Sequence, residues 1–579
     1  MKLLIAKTAG FCMGVRRAVD MALDVSNNND GPIYTYGPLI HNPQVLSMLE
    51  SKGVPVLGKI PENGNGTVLI RAHGVPPSAK KKLRLAGFKV VDATCPRVVR
   101  VQAIIRRHAK KGYNVIIIGD IDHPEVIGLF GFTEGKGHVV DTMAALEAVP
   151  NFDKAIIVAQ TTQNTEFYET VKRWAKAQRP HYDLFDTICD STEKRQKEVQ
   201  TLARSVDAVV VVGGRNSGNT QRLAEVARQK GRTAFHIEDT SELDMNTIGT
   251  LSSVAITAGA STPNWIIKKV HGAIEMGAIG KNRPWRKRFF SFLQTLLHAN
   301  IYLALGAGGL SYASTKLQGI SHNFQFTLIA ASYVLSMHIL NHLNAVDADR
   351  YNDPDRAMLY QRFRLPFGAL GIISGVAGLL AALCLGITPF LLLLAMSLMG
   401  LSYKLPILPT WLCGGRFCSI SEIAGSKTIL IAAAWGLVTA VLPALSPSGA
   451  IGFDTVVALF WSASVIFVRT AFFNTLDIQG DRIVGRETIP ILLGLEGTRR
   501  LLNRLLGGCV VLLTGAATLG FVPPLGFVLS LFPISFLLLL AAHKRGGLQP
   551  GFKLELLVET HFIVAGILTL MWSLLSQQY

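Results

Sequence analysis

Hydrophobic positions fall along this chain in two different patterns. Up to about residue 280, short apolar runs at 115–119, 155–159, 208–213 and 254–257 alternate with polar stretches of helical character. That alternation predicts an α/β fold with strands buried between helices. Beyond about residue 285 the apolar runs lengthen and the polar breaks shorten. Stretches near 289–310, 325–343, 366–386, 388–403, 423–445, 453–475, 507–522, 524–542 and 558–575 approach the ~20 residues with which a helix crosses a bilayer. The second part is therefore expected to be an all-α polytopic membrane domain of about nine helices. The expected domains are 1–280 and 289–579, joined by a basic linker at 281–288.

Basic residues test this topology, because Lys and Arg collect in cytosolic loops. With the first span starting on the cytosolic side, 20 of the 22 Lys and Arg residues beyond 280 fall on that side. Lys316 falls outside, and Arg469 lies within a span. A miscounted helix would flip every later loop and destroy the asymmetry. Composition then sharpens the picture. The 579 residues carry a net charge of +18, with 49% hydrophobic and 17% charged residues and a mean hydropathy of +0.34. That is too apolar for disorder, and no short period suggests collagen. The soluble part contributes +8 and the membrane part +10, the latter laid mostly on one membrane face, so no nucleic-acid partner is needed to explain it. Residues 1–6 form an apolar run that ends at Lys7, too short for a secretory leader. The first part is thus expected in the cytoplasm and the second in the inner cell membrane. In that reducing compartment the seven cysteines are not expected to form a disulfide framework.

Two acidic clusters follow the second and sixth spans. One contains Asn344, Asp347, Asp349, Asp353 and Asp355; the other contains Asn474, Asp477, Asp481 and Arg482. Both begin N-x-x-D, which suggests an internal duplication. Asp477 and Asp481 share a helix face at i and i+4. Two carboxylates on one cavity repel unless a cation lies between them, and Mg²⁺ bridging to a diphosphate suits such a site. Lys427 and Arg469 offer further positive charge. The plain alternative is solvated loop acids beside a membrane. Residues 477–490, DIQGDRIVGRETIP, resemble the second aspartate motif of the UbiA superfamily of intramembrane prenyltransferases, and residues 401–406, LSYKLP, are similar to its Tyr- and Pro-containing loop. The resemblance implies Mg²⁺-dependent transfer from a prenyl diphosphate, with Asn344, Asp347, Asp477 and Asp481 as candidate ligands. The first cluster departs from the family pattern, since Asn344 stands where an Asp is usual. A membrane half that is only an anchor or a transporter remains the competing reading.

In the soluble part Cys12, Cys95 and Cys189 each follow a strand-like run and precede a helix, at intervals of 83 and 94 residues. The spacing suggests three repeated α/β units, each presenting one thiol at a helix N-terminus, where the thiolate is favoured. Three such thiolates on an axis suit a [4Fe–4S] cluster with one iron lacking a protein ligand. Buried apolar cysteine is the bland alternative; a zinc site is weaker for want of a C-x-x-C pair. His41, His73 and His123 sit in Pro/Gly turns. Residues 213–220, GGRNSGNT, read as a phosphate cradle at a helix start without the Walker Lys, and 259–263, GASTP, supplies another hydroxyl or simply an N-cap.

Together these segments closely resemble the LytB/IspH family of 4-hydroxy-3-methylbut-2-enyl diphosphate reductases across residues 1–280. The resemblance implies that Cys12, Cys95 and Cys189 hold the cluster. It implies that His41, His73, His123, Ser217, Asn219 and Ser261 bind the diphosphate of a small allylic substrate, and that Glu125, helped by Thr161, supplies protons. Gly218 stands where many members have Ser. Electrons are expected from an external one-electron donor such as ferredoxin or flavodoxin. A redox-inert binding module is the competing reading.

Overall fold

Strands of the first half are short, and the most buried are near-continuous apolar runs rich in Val and Ile, as suits strands covered on both faces. β6 (Asn114–Ile118), β8 (Ala155–Ala159), β10 (Ala208–Val212) and β12 (Ser253–Ala258) are buried along nearly their whole length. The others are β1 (Lys2–Ile5), β2 (Ile33–Tyr36), β3 (Val56–Leu57), β4 (Thr67–Ile70), β5 (Lys89–Asp92), β7 (Gly137–Val140), β9 (Asp183–Leu184) and β11 (Thr233–Ile237). The computed structural model of the chain describes residues 1–28, 31–280, 284–321, 323–344, 346–406, 419–447 and 449–576. It divides into two compact units, Met1–Lys281 and Asn282–Tyr579.

The twelve strands of the first unit form three four-stranded parallel sheets, in the orders β3-β2-β4-β5, β7-β6-β8-β9 and β11-β10-β12-β1. Each has the same plan: an edge strand, two inner strands, and an outer strand leading to a cysteine. In the third sheet the outer place is taken by the N-terminal strand, Ile5 pairing with Ile256. Separate apolar clusters fill the two faces of these sheets, for example Val209, Val211 and Leu223 on one face and Val210, Ile256 and Ile274 on the other.

The second unit is all helix and inverts the usual distribution. Leu365 is 85% exposed and Val511 71%, while Ser311, Ser314, Thr315 and Thr439 are buried. Such a bundle is built for lipid, with small residues at the helix contacts. Gly309 and Gly566 illustrate it: a Cβ on Gly566 would strike the Gly309 backbone, so the helices Ile301–Leu317 and Phe552–Ser576 cross there at close range. Among the described residues seven helices are long and apolar enough to span: Phe324–Leu343, Arg364–Leu385, Ser426–Ala444, Phe453–Ile483, Ile489–Thr518, Leu525–Lys544 and Phe552–Ser576. An eighth arises if Arg288–His298 and Ile301–Leu317, bent by 69°, count as one. This is a multi-pass membrane protein.

Three details differ from the sequence reading. Residues 284–288, expected as linker, open the helix Pro284–His298. The chain breaks at Asn300, left-handed at φ 59°, whose Nδ2 donates to Tyr360 Oη at 2.9 Å, so the first span is mainly Ile301–Leu317 rather than 289–310. The expected fourth span is only Ile387–Leu401, 15 residues. Hydropathy registers apolar length, and a bend fixed by one asparagine leaves no trace in it.

Candidate active sites

Equivalent positions around the three sheets carry the candidate residues of the first unit. Five residues beyond the ends of β2, β6 and β10 stand His41, His123 and Ser217. Three residues beyond β4 and β12 stand His73 and Ser261; Thr161 lies two residues beyond β8. Cys12, Cys95 and Cys189 each precede a helix, respectively Met13–Asn28, Pro96–Ala109 and Asp190–Ser205. One hydrogen bond recurs in all three units. Cys95 N donates to Ala72 O (2.9 Å), Cys189 N to Thr161 O (2.9 Å) and Cys12 N to Ala260 O (3.1 Å). The acceptors are equivalent, each two residues past a second inner strand. Every cysteine is thus tied to the loop that carries His73, Thr161 or Ser261.

The three thiols are free and half-buried. Backbone N–H groups at the helix starts point at sulfur: those of Arg97 and Val98 at Cys95, those of Ser191 and Thr192 at Cys189, and Val15 N at Cys12 Sγ (3.4 Å). A Cβ on Gly14 would collide with Cys95 Sγ, so only glycine leaves that sulfur its place. The expected lowering of thiol pKa is overturned for two of them. Burial pushes Cys95 and Cys189 up, outweighing the helix-end N–H groups, and the Cys12 charge raises both further. Three mutually coupled thiols in a desolvated, N–H-lined site fit a cationic metal cluster, which removes that penalty by taking the thiolates as ligands.

His41, His73 and His123 converge, with ring centroids 4.7, 5.9 and 5.4 Å apart. Burial, then repulsion from neighbouring cations, holds His73 well below its usual range and pushes His123 down to about 4; burial and Arg71 lower His41. The imidazoles are therefore neutral at neutral pH. Glu125 N donates to His123 Nδ1 at 3.1 Å, which leaves the His123 proton on Nε2. His41 Nε2, His73 Nδ1 and both side-chain polar atoms of Asn219 are buried without a partner. Orphaned buried polar atoms are costly, and so many in one place mark a ligand site. Three imidazoles this close also suit a metal ion, but the Arg71 charge acts on all three and favours an anion. Ser261 Oγ donates to His41 O (3.0 Å) and lies 3.5 Å from Ser217 Oγ. Arg71 was passed over in the sequence, although it stands two residues before His73.

Glu125 sits in the first turn of Pro124–Phe130 and is 1% exposed. Thr161 N and Oγ1 donate to its two oxygens at 2.7 and 2.8 Å. Burial raises its pKa to about 7 against the opposing effect of these bonds. A carboxyl so poised can hold and release a proton near neutral pH.

In the second unit Asp477 and Asp481 lie in the last turns of Phe453–Ile483. Asn352 Nδ2 donates to Asp481 Oδ1 at 2.9 Å, and Asp481 Oδ2 is buried without a partner. Lys427 lies at the start of the helix Ser426–Ala444, within reach of the charges of Asp349, Asp477, Asp481 and Arg486. Asn344 ends the helix Phe324–Leu343; Asp347 is in the helix Val346–Asn352, its side chain outside the described residues. Asn352, in the first cluster and not among the candidate ligands read from the sequence, bonds to the second, and Asp349 is bound to His342 Nδ1 at 2.5 Å. Arg469, expected to lend charge, is committed to Glu559 through Nε (2.9 Å) and Nη2. That partner lies 90 residues away. Of the other cysteines Cys384 is exposed and Cys509 buried; Cys413 and Cys418 lie outside the described residues.

The family model described as LytB protein matches residues 3–275. A 4-hydroxy-3-methylbut-2-enyl diphosphate reductase of Geobacter sulfurreducens is 44% identical over 270 residues, covering 47% of this chain and 95% of that protein. The chain belongs to the 4-hydroxy-3-methylbut-2-enyl diphosphate reductase family. Another member, from Alkaliphilus oremlandii, is 42% identical to this reductase-family chain over 272 residues, with 47% and 98% covered. Membership implies an iron–sulfur cluster, which the three thiols suit. Beyond the reductase part, residues 302–548 match the UbiA prenyltransferase family model. A solved UbiA homolog from Aeropyrum pernix K1 is 17% identical, covers 47% of this chain and 98% of its own, and superposes with a TM-score of 0.37. The chain joins a reductase-family unit to one that matches the UbiA prenyltransferase family model.

Proposed function

We propose that the first unit reductively dehydroxylates 4-hydroxy-3-methylbut-2-enyl diphosphate to isopentenyl and dimethylallyl diphosphate. The observation that carries this reading is Glu125, a buried carboxyl at about 7 that accepts two hydrogen bonds from Thr161, whose own carbonyl also anchors Cys189. Bound by Cys12, Cys95 and Cys189, a [4Fe–4S] cluster would supply electrons and one iron open to the substrate hydroxyl. His41, His73, His123, Ser217, Asn219 and Ser261 bind and orient the diphosphate oxygens. Glu125 gives a proton to the departing hydroxyl oxygen, and Thr161 holds the carboxylate that remains. The C–O bond breaks, a C–H bond forms, and water leaves. The balance takes two electrons, delivered singly by an external donor such as ferredoxin or flavodoxin, and two protons. Anaerobic purification with iron and sulfide quantitation, followed by assay of substrate reduction, tests the reading. A protein without sulfide, or loaded and inert, overturns it.

The second unit, by the same reading, transfers a prenyl group from a prenyl diphosphate to an acceptor and releases inorganic diphosphate; Asp477 and Asp481 would hold the Mg²⁺ that neutralises the leaving diphosphate, with Lys427 beside it. Asn344 and Asp347 remain candidate ligands, with Asn352 added. The buried, partnerless Asp481 oxygen favours a cation-holding site over a mere anchor. The clustering of basic residues on one face supports a cytoplasmic reductase unit and an inner-membrane location.

A further inference from the structure

Among the described residues Arg195 is the only Lys or Arg buried as deeply as 3% exposure. It stands six residues after Cys189 in the helix Asp190–Ser205. Its Nη2 donates to Gly10 O at 2.7 Å and its Nη1 to Ala258 O at 3.1 Å, while Nε reaches Ser191 Oγ at 3.4 Å. Gly10 lies two residues before Cys12, and Ala258 ends β12, two residues before the carbonyl that receives Cys12 N. One side chain on the Cys189 helix therefore fastens the Cys12 loop to its own sheet.

A neutral hydrogen-bonding side chain could make such a clamp without the cost of burying charge. All three acceptors of the guanidinium are neutral. Glu198, an acid on the same helix whose charge acts on Arg195, spends its oxygens on Lys7 N (2.7 Å), Thr8 N (2.9 Å) and Thr8 Oγ1 (2.5 Å). The negative charges that act on Arg195 are those of Cys12, Glu198 and Cys189. The fixed cation therefore faces two of the three cysteines.

We infer that Arg195 is a positioning residue with an electrostatic purpose: it sets Cys12 relative to Cys189 and makes the iron–sulfur cluster held by these cysteines easier to reduce. The inference rests on the cluster assignment proposed above. When one electron arrives from an external one-electron carrier, the cluster becomes one unit more negative, and a buried positive charge beside it stabilises that state.

The test is the reduction potential of the full-length protein, purified anaerobically in detergent and titrated with a spectroscopic readout of the cluster. Arg195→Gln removes the charge and keeps hydrogen-bond donors; at least a tenfold weaker hold on the added electron is expected, read as a potential about 59 mV lower. Arg195→Lys keeps the charge and should fall between the two. Glu198→Gln removes the opposing charge and keeps an acceptor oxygen; its potential should rise. Arg195→Gln with full iron and an unmoved potential overturns the inference. If Arg195→Gln folds but loses iron, the positioning part is supported and Glu198→Gln decides the rest: an unmoved potential there overturns the electrostatic part. Wild-type protein without iron or sulfide instead overturns the cluster reading itself.

Discussion

Glu125 and Thr161 form a two-point contact in which the threonine N–H and hydroxyl each donate to a different carboxylate oxygen, at 2.7 and 2.8 Å. Burial nevertheless wins, and the carboxyl stands at about 7. The acid form is thus present below about pH 7 and lost above it, so turnover should fall as pH rises through 7. The sign for stability is the same: a folded pKa above the ordinary glutamate value of 4.5 means this group's contribution declines as pH rises from about 4.5 to 7. Glu125→Gln should abolish the limb and reduce turnover by roughly 10²–10⁴-fold, the usual worth of a general acid, while iron content holds. A pH–rate profile of both proteins checks this.

Thr161→Val removes the hydroxyl bond and keeps the N–H bond. The lost donor was holding the Glu125 pKa down, so the alkaline limb should move to higher pH. Turnover at its optimum should fall about ten- to a hundredfold, matching roughly 1.5–3 kcal/mol for a hydrogen bond to a charged group. An unmoved limb would place the titrating acid elsewhere.

The three histidines are held neutral by burial and by neighbouring positive charge, that of Arg71 acting on all three. A bound diphosphate brings negative charge against them and raises their affinity for protons. Binding of inorganic pyrophosphate should therefore take up protons, and its affinity should rise as pH falls from 8 to 6. Calorimetry in buffers of different ionisation enthalpy measures the uptake; none is expected in Asn219→Ala beyond what the histidines contribute, with affinity lowered.

Gly14→Ala places a methyl group against Cys95 Sγ. The chain should fold, because the residue is at a helix start, but iron and sulfide per chain should drop well below wild type. Metal analysis after anaerobic purification reads this without any activity assay.

Asp481→Asn removes the acid that Asn352 supports in the membrane unit. Mg²⁺-dependent prenyl transfer in membranes should be lost while reduction by the first unit is unchanged. Loss of both activities would show that the change acts through folding.

Much of this was legible in the sequence for identifiable reasons. Parallel strands buried on both faces must be apolar throughout, so β6, β8 and β10 stood out; a cysteine between strand and helix recurred at Cys95 and Cys189. The histidines, however, were grouped by type. The structure sorts by place: His41, His123 and Ser217 follow first inner strands, and His73 and Ser261 follow second ones. Residue identity had concealed this equivalence, because a serine can stand where its counterparts are histidines.

What the sequence determined alone was local: strand and helix periods, apolar lengths, the one-sided basic loops, and which residues end a strand or start a helix. These depend on near neighbours. Three matters were decided only by the tertiary structure. β1 completes the third sheet beside β12, so Cys12 joins two cysteines that follow it by many residues. Burial raises Cys95 and Cys189 where a helix end alone would lower them. Glu559 claims Arg469, and Asn352 reaches Asp481. Burial and charge pairing are set by whatever lies nearby in space, and in a folded chain those neighbours are distant in sequence.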